Sequence, residues 1–540
     1  MGCSVGRLRG WWWVGLVFLT AGTAGRGQPP VWVSDADRDG VLDASKDSLG
    51  DGGWTWRHGA IVPVDLDGGM SDGQRKALAR LLPIPTADAA ARWKVEFDVP
   101  PDTIRVFAQN ADQTWETFAS GTTCSARDGL TLALTATRFA DPQWDGRVRL
   151  TAWHDDSSTL LASVELRVAP FVMASSPQPA ESVFVRAYLG RNDALVADLM
   201  EIVERAGAEL HVIPGDAPYP AHHIWLQDAV EFGHAWTGRP DAPPFALPSN
   251  RNRDLDRFAE TRLEDARVGV LTVGSYRPGY AAGTGGDSWI DWYGNLEASP
   301  PTLGHPFGRV IYGRNPATGA QLNPEVVAFL AAQDVQAPVA FDVGWLQIKH
   351  VDEVVSFLPA DDEAWPYRLV VPDPRVAIDL LTHLAEQGHA DAPMLSTYEE
   401  GATVASLLAE PENIAFNREL RATRLEPAYA ALCEQLSIDP RHVIRLPVLF
   451  NPDGSARTPN VVNALVVNGH VVMADPDGPK IPQAPGAPGR DAFQDKIREL
   501  LADLPVEVHF VDDRLYHRWS GNVHCATNAL RKPLDVRFPD

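Results

Sequence analysis

Ala162-Ser163-Val164-Glu165-Leu166-Arg167-Val168, closed by Ala169-Pro170, is where this chain changes texture. The seven residues alternate apolar and polar, the period of a strand buried on one face. The same alternation runs upstream through Trp93-Lys94-Val95-Glu96-Phe97-Asp98-Val99 and Val148-Arg149-Leu150-Thr151-Ala152. Gly, Asp and Pro turns separate these stretches and helical periodicity is scarce, so residues 25–170 are expected to contain a small β-sandwich beginning near residue 31.

Beyond Pro170 the period lengthens. Leu195, Val196, Leu199, Ile202 and Val203 share one helical face, with Gly207 as a stop. The strand-like Leu210-His211-Val212-Ile213 follows. Helix-then-strand recurs: Val376 to Leu384 ends near Gly388, and Phe493 to Leu501 precedes Val506 to Val511. Val462 to Val467 and His470 to Met473 flank Asn468-Gly469, a strong hairpin signal. Residues 171–540 therefore read as α/β. They show no internal repeat in sequence, and the nearest thing to a linker is the Pro/Gly-rich Pro482 to Gly489.

A chain of 540 residues exceeds one ordinary core, in keeping with two or three domains. Its composition, 45% hydrophobic and 22% charged, is that of a soluble globular protein. The net charge of -24 argues against general nucleic-acid binding and suits cationic partners, whether metal ions or arginine-rich substrates. At the N-terminus Arg7 and Arg9 precede an apolar run from Trp11 to Thr20, and Gly22-Thr23-Ala24 offers small residues for cleavage. Residues 1–24 are thus expected to be a signal peptide, which places the protein in a secreted or periplasmic setting. The run is shorter than the ~20 residues that span a bilayer, so no stable membrane insertion is expected. Processing removes Cys3 and leaves Cys124, Cys433 and Cys525, too few for a disulfide framework.

Asp35-Ala36-Asp37-Arg38-Asp39-Gly40 alternates carboxylates ahead of a glycine, a pattern able to wrap a hard cation such as calcium. Lys46, where an EF-hand needs a bidentate glutamate, breaks that match. Asp43, Asp47, Asp65 and Asp67 are candidates to complete a different site.

Chemistry of another kind is suggested by Asn522-Val523-His524-Cys525-Ala526-Thr527-Asn528 near the C-terminus. His350 and Asp352 lie two apart, so on an extended strand they project to one side. Gln227, Asp228 and Glu231 cluster beside Trp225, and Arg251-Asn252-Arg253 adds two forked donors. An imidazole near a thiol favours the reactive thiolate. Carboxylates oppose it but hold a guanidinium in paired hydrogen bonds. Taken singly these are a small buried cysteine, a surface His–Asp pair, a core tryptophan and a basic turn.

Together they resemble the protein-arginine deiminase family. Val523-His524-Cys525-Ala526-Thr527-Asn528 is similar to its nucleophile segment, with Ala526 where glycine is usual. Lys349-His350-Val351-Asp352-Glu353 resembles its general-acid segment, with Lys349 for glycine. Trp225-Leu226-Gln227-Asp228 and Tyr293-Gly294-Asn295-Leu296-Glu297-Ala298-Ser299-Pro300-Pro301 resemble two further family stretches. Upstream, the acidic loop, Trp54-Thr55-Trp56 and Val168-Ala169-Pro170 are similar to the immunoglobulin-like domain that precedes the catalytic domain in this family.

The resemblance implies a five-bladed α/β propeller for residues 171–540, preceded by an immunoglobulin-like β-sandwich within 25–170. It implies that Asp228 and Asp352 bind a guanidinium, Cys525 attacks it, and His350 serves as acid and base. Trp225 packs along the arginine stem, and Arg251 and Arg253 hold backbone carbonyls of a protein or peptide substrate. Calcium is the implied cofactor, on Gln227, Glu231, Glu297 and the carbonyls of Tyr293 and Leu296, with Asp35, Asp37, Asp39, Asp65 and Asp67 as sites in the first domain. A second catalytic-domain calcium site is expected to be lost, because Ala229 and Pro248 replace acids beside Ser249 and Asn252. Trp519 and Ser520 stand where basic residues are usual. The competing readings are a small-guanidine deiminase or amidinotransferase of the same superfamily, a papain-like protease, and a secreted calcium-dependent binding protein with an inactive site.

Overall fold

The computed structural model describes residues 31–538, apart from residues 44, 50–52, 66–76, 84–90, 156–158, 216–219, 221–222, 264–267, 283–284 and 484–488. The expected signal peptide and Asp67 lie outside the described residues. No described helix is long and apolar enough to cross a membrane.

Residues 32–168 form two sheets. One orders its strands Ser48–Leu49, Trp32–Ser34, Ala77–Leu81, Leu130–Ala136, Ile104–Gln109, Trp115–Thr117; the other runs Ile61–Val62, Leu160–Val168, Arg147–His154, Arg92–Asp98, Thr122–Ser125. Alternation does what it must. Val148, Leu150 and Ala152 are buried with Val164 and Leu166, while Arg147 and Arg149 face solvent. Both sheets feed one core, with Trp32, Leu132 and Leu134 from the first and Trp93 and Val95 from the second.

Six small sheets follow among the described residues. One is the two-stranded antiparallel pair Lys480–Pro482 with Gly489–Asp491. The other five repeat one plan: a central strand pairs antiparallel with one neighbour and parallel with another. The central strands with their parallel partners are Ala180–Arg186 with Glu209–Ile213, Pro244–Pro248 with Gly269–Val270, and Val310–Arg314 with Val339–Asp342. Tyr367–Pro372 with Val443–Leu446 and His470–Ala474 with Glu507–Val511 complete the set. Each parallel pair requires a crossover, and helices such as Asp193–Arg205, Pro324–Ala332 and Ala492–Leu500 supply it. The repeat is one of pairing and topology, carried by different residues each time. The hairpin at Asn468-Gly469 has positive φ at both residues, 46° and 84°, as a tight two-residue turn demands.

The C-terminal strand Thr527–Arg531 returns to pair antiparallel with Ala180–Arg186, so the end of the chain completes the first sheet. That return carries Cys525 into the middle of the protein. The two-sheet domain is joined to the rest by a continuous core: the Phe139 ring meets Phe171, Phe245 and Phe329 edge-on at centroid distances of 5.9, 5.0 and 6.2 Å. Gln333 ties the seam, donating to the Ala140 carbonyl at 2.8 Å and accepting from Phe171 N at 3.0 Å.

Candidate active site

Five segments converge, and each lies just before the strand that pairs antiparallel with the central strand of a different sheet. They are Trp225–Asp228 before Val230–Ala235, Tyr293–Asn295 before Leu296–Ala298, and Val351–Glu353 before Ser356–Pro359. Asn460–Asn463 before Leu465–Val467 and Val523–Ala526 before Thr527–Arg531 are the other two. The repeated topology brings together residues up to 300 positions apart.

Gly294 marks the focus. A Cβ there would lie 2.5 Å from His350 Nδ1, 2.9 Å from Asp228 Oδ1 and 3.2 Å from Asp352 Oδ2. Its backbone N–H donates to Asp228 Oδ1 at 3.2 Å. His350 Nδ1 stands 3.5 Å from that same oxygen. The other ring nitrogen, Nε2, is 3.0 Å from the Trp289 carbonyl, which can only accept, so Nε2 carries a proton. The extended strand expected at His350 and Asp352 is corrected by the structure. His350 caps a 3-10 turn over Val351–Glu353, its own N–H bonded to Glu353 Oε1 at 3.1 Å. A turn replaces the strand because it satisfies that N–H locally and aims both side chains inward. Lys349, just before it, sits at φ 69°, a left-handed conformation where a glycine carries no steric cost.

Cys525 Sγ lies 3.3 Å from Asp352 Oδ2 and accepts from Asn463 Nδ2 at 3.2 Å. Cys525 N donates back to Asn463 Oδ1 at 3.2 Å, which fixes the amide's orientation. The sequence led us to expect an imidazole beside the thiol, favouring thiolate; its partners are instead a carboxylate and an amide. Burial pushes the thiol pKa well above its ordinary value, and Asp352 and Asp228 push it further. Burial also raises Asp228, against the pull of His350 and Arg251. Two polar atoms here are buried without a hydrogen-bond partner, His350 Nδ1 and Asp352 Oδ1. Such orphaned groups are costly unless a ligand completes them.

Trp225 and Cys525 flank Gly521, where a Cβ would collide with the indole and lie 3.3 Å from Cys525 Cβ. Trp225 is held edge-on against Tyr516 at 5.5 Å. Arg251 and Arg253 lie over the same Trp292 ring, at 5.1 and 4.5 Å. Arg251 is buried at 3% exposure; it grips Asp256 through Nε and Nη2, each at 2.7 Å, and comes within 3.8 Å of Asp228. Arg253 is half-buried. Trp519 is exposed, and Ser520 donates to Gln347 at 2.8 Å.

His524 carried no assigned role in the sequence reading. In the structure its Nδ1 is 2.9 Å from Asp352 Oδ2 and its Nε2 is 3.4 Å from Glu297 Oε1. Burial works against the imidazolium, but Glu297 and Asp352 outweigh it and the pKa rises. Asn463 and Asn460 were also missed; a buried asparagine has no spacing signature.

Gln227, Glu231 and Glu297 line a cavity of about 30 Å³ together with His524, Asn528 and Arg531. Gln227 donates to Glu231. Burial raises Glu231 well above the usual range, with Glu297 and Asp352 adding to it. Glu297 is lifted to about 7, again by burial first. Two mutually repelling buried carboxylates and the Gln227 amide oxygen offer oxygen donors of the kind calcium takes, with His524 and Arg531 as the cationic groups on the same wall. Tyr293 and Leu296 sit at the turn that opens this wall, Leu296 N–H donating to the Tyr293 carbonyl.

The acidic loop is elsewhere. Carboxylate oxygens of Asp35, Asp37 and Asp39 fall within 4.8 Å of one another. Asp35 Oδ1 is buried without a partner, and burial lifts that carboxyl to about 6, with Asp47 adding to it. This donor set also fits a hard cation. Asp47 is spent on backbone, accepting from Ala36 N at 2.8 Å and Asp43 N at 2.7 Å. Asp65 lies outside the three-carboxylate group. At the second expected calcium site Ala229 and Pro248 are buried, and Ser249 donates to Asp256 at 3.2 Å.

Repeated α/β sheets thus gather a thiol, an imidazole and two carboxylates, all buried, at one place. The family model "Protein-arginine deiminase (PAD)" matches residues 159–538, and the chain belongs to the protein-arginine deiminase family. Protein-arginine deiminase type-1 of Mus musculus is 30% identical over 434 residues, covering 74% of this chain and 61% of the relative. Type-4 of Homo sapiens is 30% identical over 433 residues, covering 75% and 61%. The chain thus spans about three fifths of the length of these relatives. Among solved structures, an agmatine deiminase of C. jejuni matches at 10% identity with TM-score 0.40, covering 67% of this chain and 97% of that one.

Proposed function

We propose that the protein hydrolyses peptidyl-arginine to peptidyl-citrulline and ammonia, with calcium as cofactor. The observation that carries this reading is the pair of orphaned polar atoms, His350 Nδ1 and Asp352 Oδ1, beside the Cys525 thiol. A guanidinium placed between Asp228 and Asp352 satisfies Asp352 and cancels the repulsion that keeps the thiol neutral. Cys525 then yields its proton to His350, and Sγ bonds to the guanidinium carbon. His350 returns the proton to one amino group, which leaves as ammonia and gives a thiouronium on Cys525. His350 next takes a proton from water as its oxygen bonds to the same carbon. The C–S bond breaks, the thiol is re-protonated and citrulline departs; the surplus proton leaves with ammonia as ammonium.

Gln227, Glu231, Glu297 and the carbonyls of Tyr293 and Leu296 are the residues that would hold calcium here, and Asp35, Asp37 and Asp39 those in the first domain. Bound calcium supplies positive charge that keeps buried Glu231 and Glu297 ionised. The five sheets are taken as blades of a five-bladed propeller over residues 171–540, and the two-sheet domain within 25–170 as immunoglobulin-like. The repeated pairing plan and the shared core support these assignments. Residues 1–24 would direct export.

One observation favours a second reading, a deiminase of small guanidines. Arg251 is locked on Asp256, which leaves Arg253 as the freer arginine for a peptide backbone. The two readings separate in one assay, citrulline from a blocked arginine peptide against free arginine, with calcium or chelator and with Cys525→Ala as control. Product from the peptide supports the proposal. Product from free arginine alone supports the second reading, and no product from either would sink both.

A further inference from the structure

The chain holds another cluster with no part in the site above. His470 opens the central strand of the fifth sheet, right after the Asn468-Gly469 turn; Glu507 and His509 lie two apart on its parallel neighbour and share a face. The register sets His470 opposite Glu507 and Val472 opposite His509, so the two imidazoles and the carboxylate meet on one side of the sheet. His470 Nδ1 is 2.9 Å from His509 Nε2. Glu507 Oε2 is 3.8 Å from His470 Nδ1, and its Oε1 is 3.7 Å from His509 Nε2.

We propose that His470, Glu507 and His509 form a binding site for a late first-row divalent cation of the zinc class. Two imidazole nitrogens with one carboxylate are a common zinc donor set, and nitrogen donors disfavour calcium, which takes oxygen. With metal–ligand bonds of about 2.1 Å, tetrahedral donors sit roughly 3.4 Å apart. One donor atom from each of the three residues can be chosen so that all lie within 4.8 Å of one another, within reach of that spacing by side-chain rotation. The imidazole side chains are 14% and 13% exposed and Glu507 is 53% exposed, so the ligands are backed by protein while a fourth position faces solvent. Arg205, from the helix Asp193–Arg205, pairs with Glu507 and reaches Glu201 at 3.7 Å. That guanidinium occupies the carboxylate without metal, so cation binding exchanges the Arg205–Glu507 pair for coordination, with Glu201 left to hold Arg205.

The test is isothermal titration of the tag-free, calcium-loaded full chain with Zn(II), paralleled by Co(II) absorption spectra. It is run on wild type, Cys525→Ala, His509→Gln and the exposed Glu507→Gln. One Zn(II) per chain is expected in wild type and in Cys525→Ala, with a tetrahedral Co(II) spectrum. Affinity should fall about 100-fold in His509→Gln and about tenfold in Glu507→Gln. Should His509→Gln misfold, the Glu507→Gln loss and the Co(II) spectrum still decide. The proposal is overturned if no Zn(II) binds, if binding vanishes with Cys525→Ala, or if both other variants bind as tightly as wild type.

Discussion

Cys525 Sγ sits 3.3 Å from Asp352 Oδ2, so the proposed nucleophile rests against a carboxylate and not against an imidazole. Burial, then Asp352 and Asp228, hold the thiol pKa well above its ordinary value. Iodoacetamide should therefore alkylate Cys525 slowly at neutral pH and faster only in strong alkali. Asp352→Asn removes one repelling charge, so its alkylation profile moves to lower pH while deimination is lost. A profile that stays in place would show that Asp352 does not control the thiol.

Burial raises Glu297 to about 7 and Asp513 to about 7. The sign follows from proton linkage. In the metal-free fold these carboxyls hold protons that the unfolded chain releases near pH 4, so their contribution is complete below that pH and is lost as pH rises towards 7. The melting temperature of the chelated protein should fall between pH 5 and pH 7.5, calcium should restore it at pH 7.5, and Glu297→Gln should flatten the fall. A melting temperature that climbs across this interval contradicts the assignment.

At Gly294 even one methyl group meets His350 Nδ1 at 2.5 Å. Gly294→Ala should lower kcat/KM about 100-fold or more by displacing the imidazole. Circular dichroism and melting should stay near wild type. Activity within a few fold of wild type would mean that the convergence at Gly294 is not catalytic.

The two arginines on Trp292 should separate. Arg251→Ala leaves Asp256 buried without its partner, and breaking such a pair costs about 3–5 kcal/mol, read by denaturant unfolding. Arg253→Ala should keep stability and raise KM for peptides about tenfold without changing KM for free arginine. Equal effects on both substrates would remove Arg253 from peptide recognition.

Much of the fold was legible because period and turn chemistry are local. The alternation at Arg147–His154, the helix ending at Arg205 and the Asn468-Gly469 turn all appear in the structure. Pairing was not legible: five sheets share one plan through unrelated residues, so no repeat shows in sequence. At the site, Cys525, His350, Asp228 and Asp352 are brought together as chemically distinctive types. His524 and Asn463 escaped notice, since their value lies in contacts with Asp352, Glu297 and Cys525 made across long stretches of chain. The extended geometry considered for His350 and Asp352 gives way to a 3-10 turn, in which Glu353 satisfies the His350 N–H locally.

The central claim, a covalent route through Cys525, is tested most directly by acid-quenching the calcium-loaded enzyme during turnover of a blocked arginine peptide. Mass spectrometry then reads the Cys525-containing fragment. The account predicts a fragment heavier by the substrate peptide less ammonia, absent from Cys525→Ala and matched by citrulline in the product. Citrulline formed with no adduct on Cys525, or formed equally by Cys525→Ala, would contradict it.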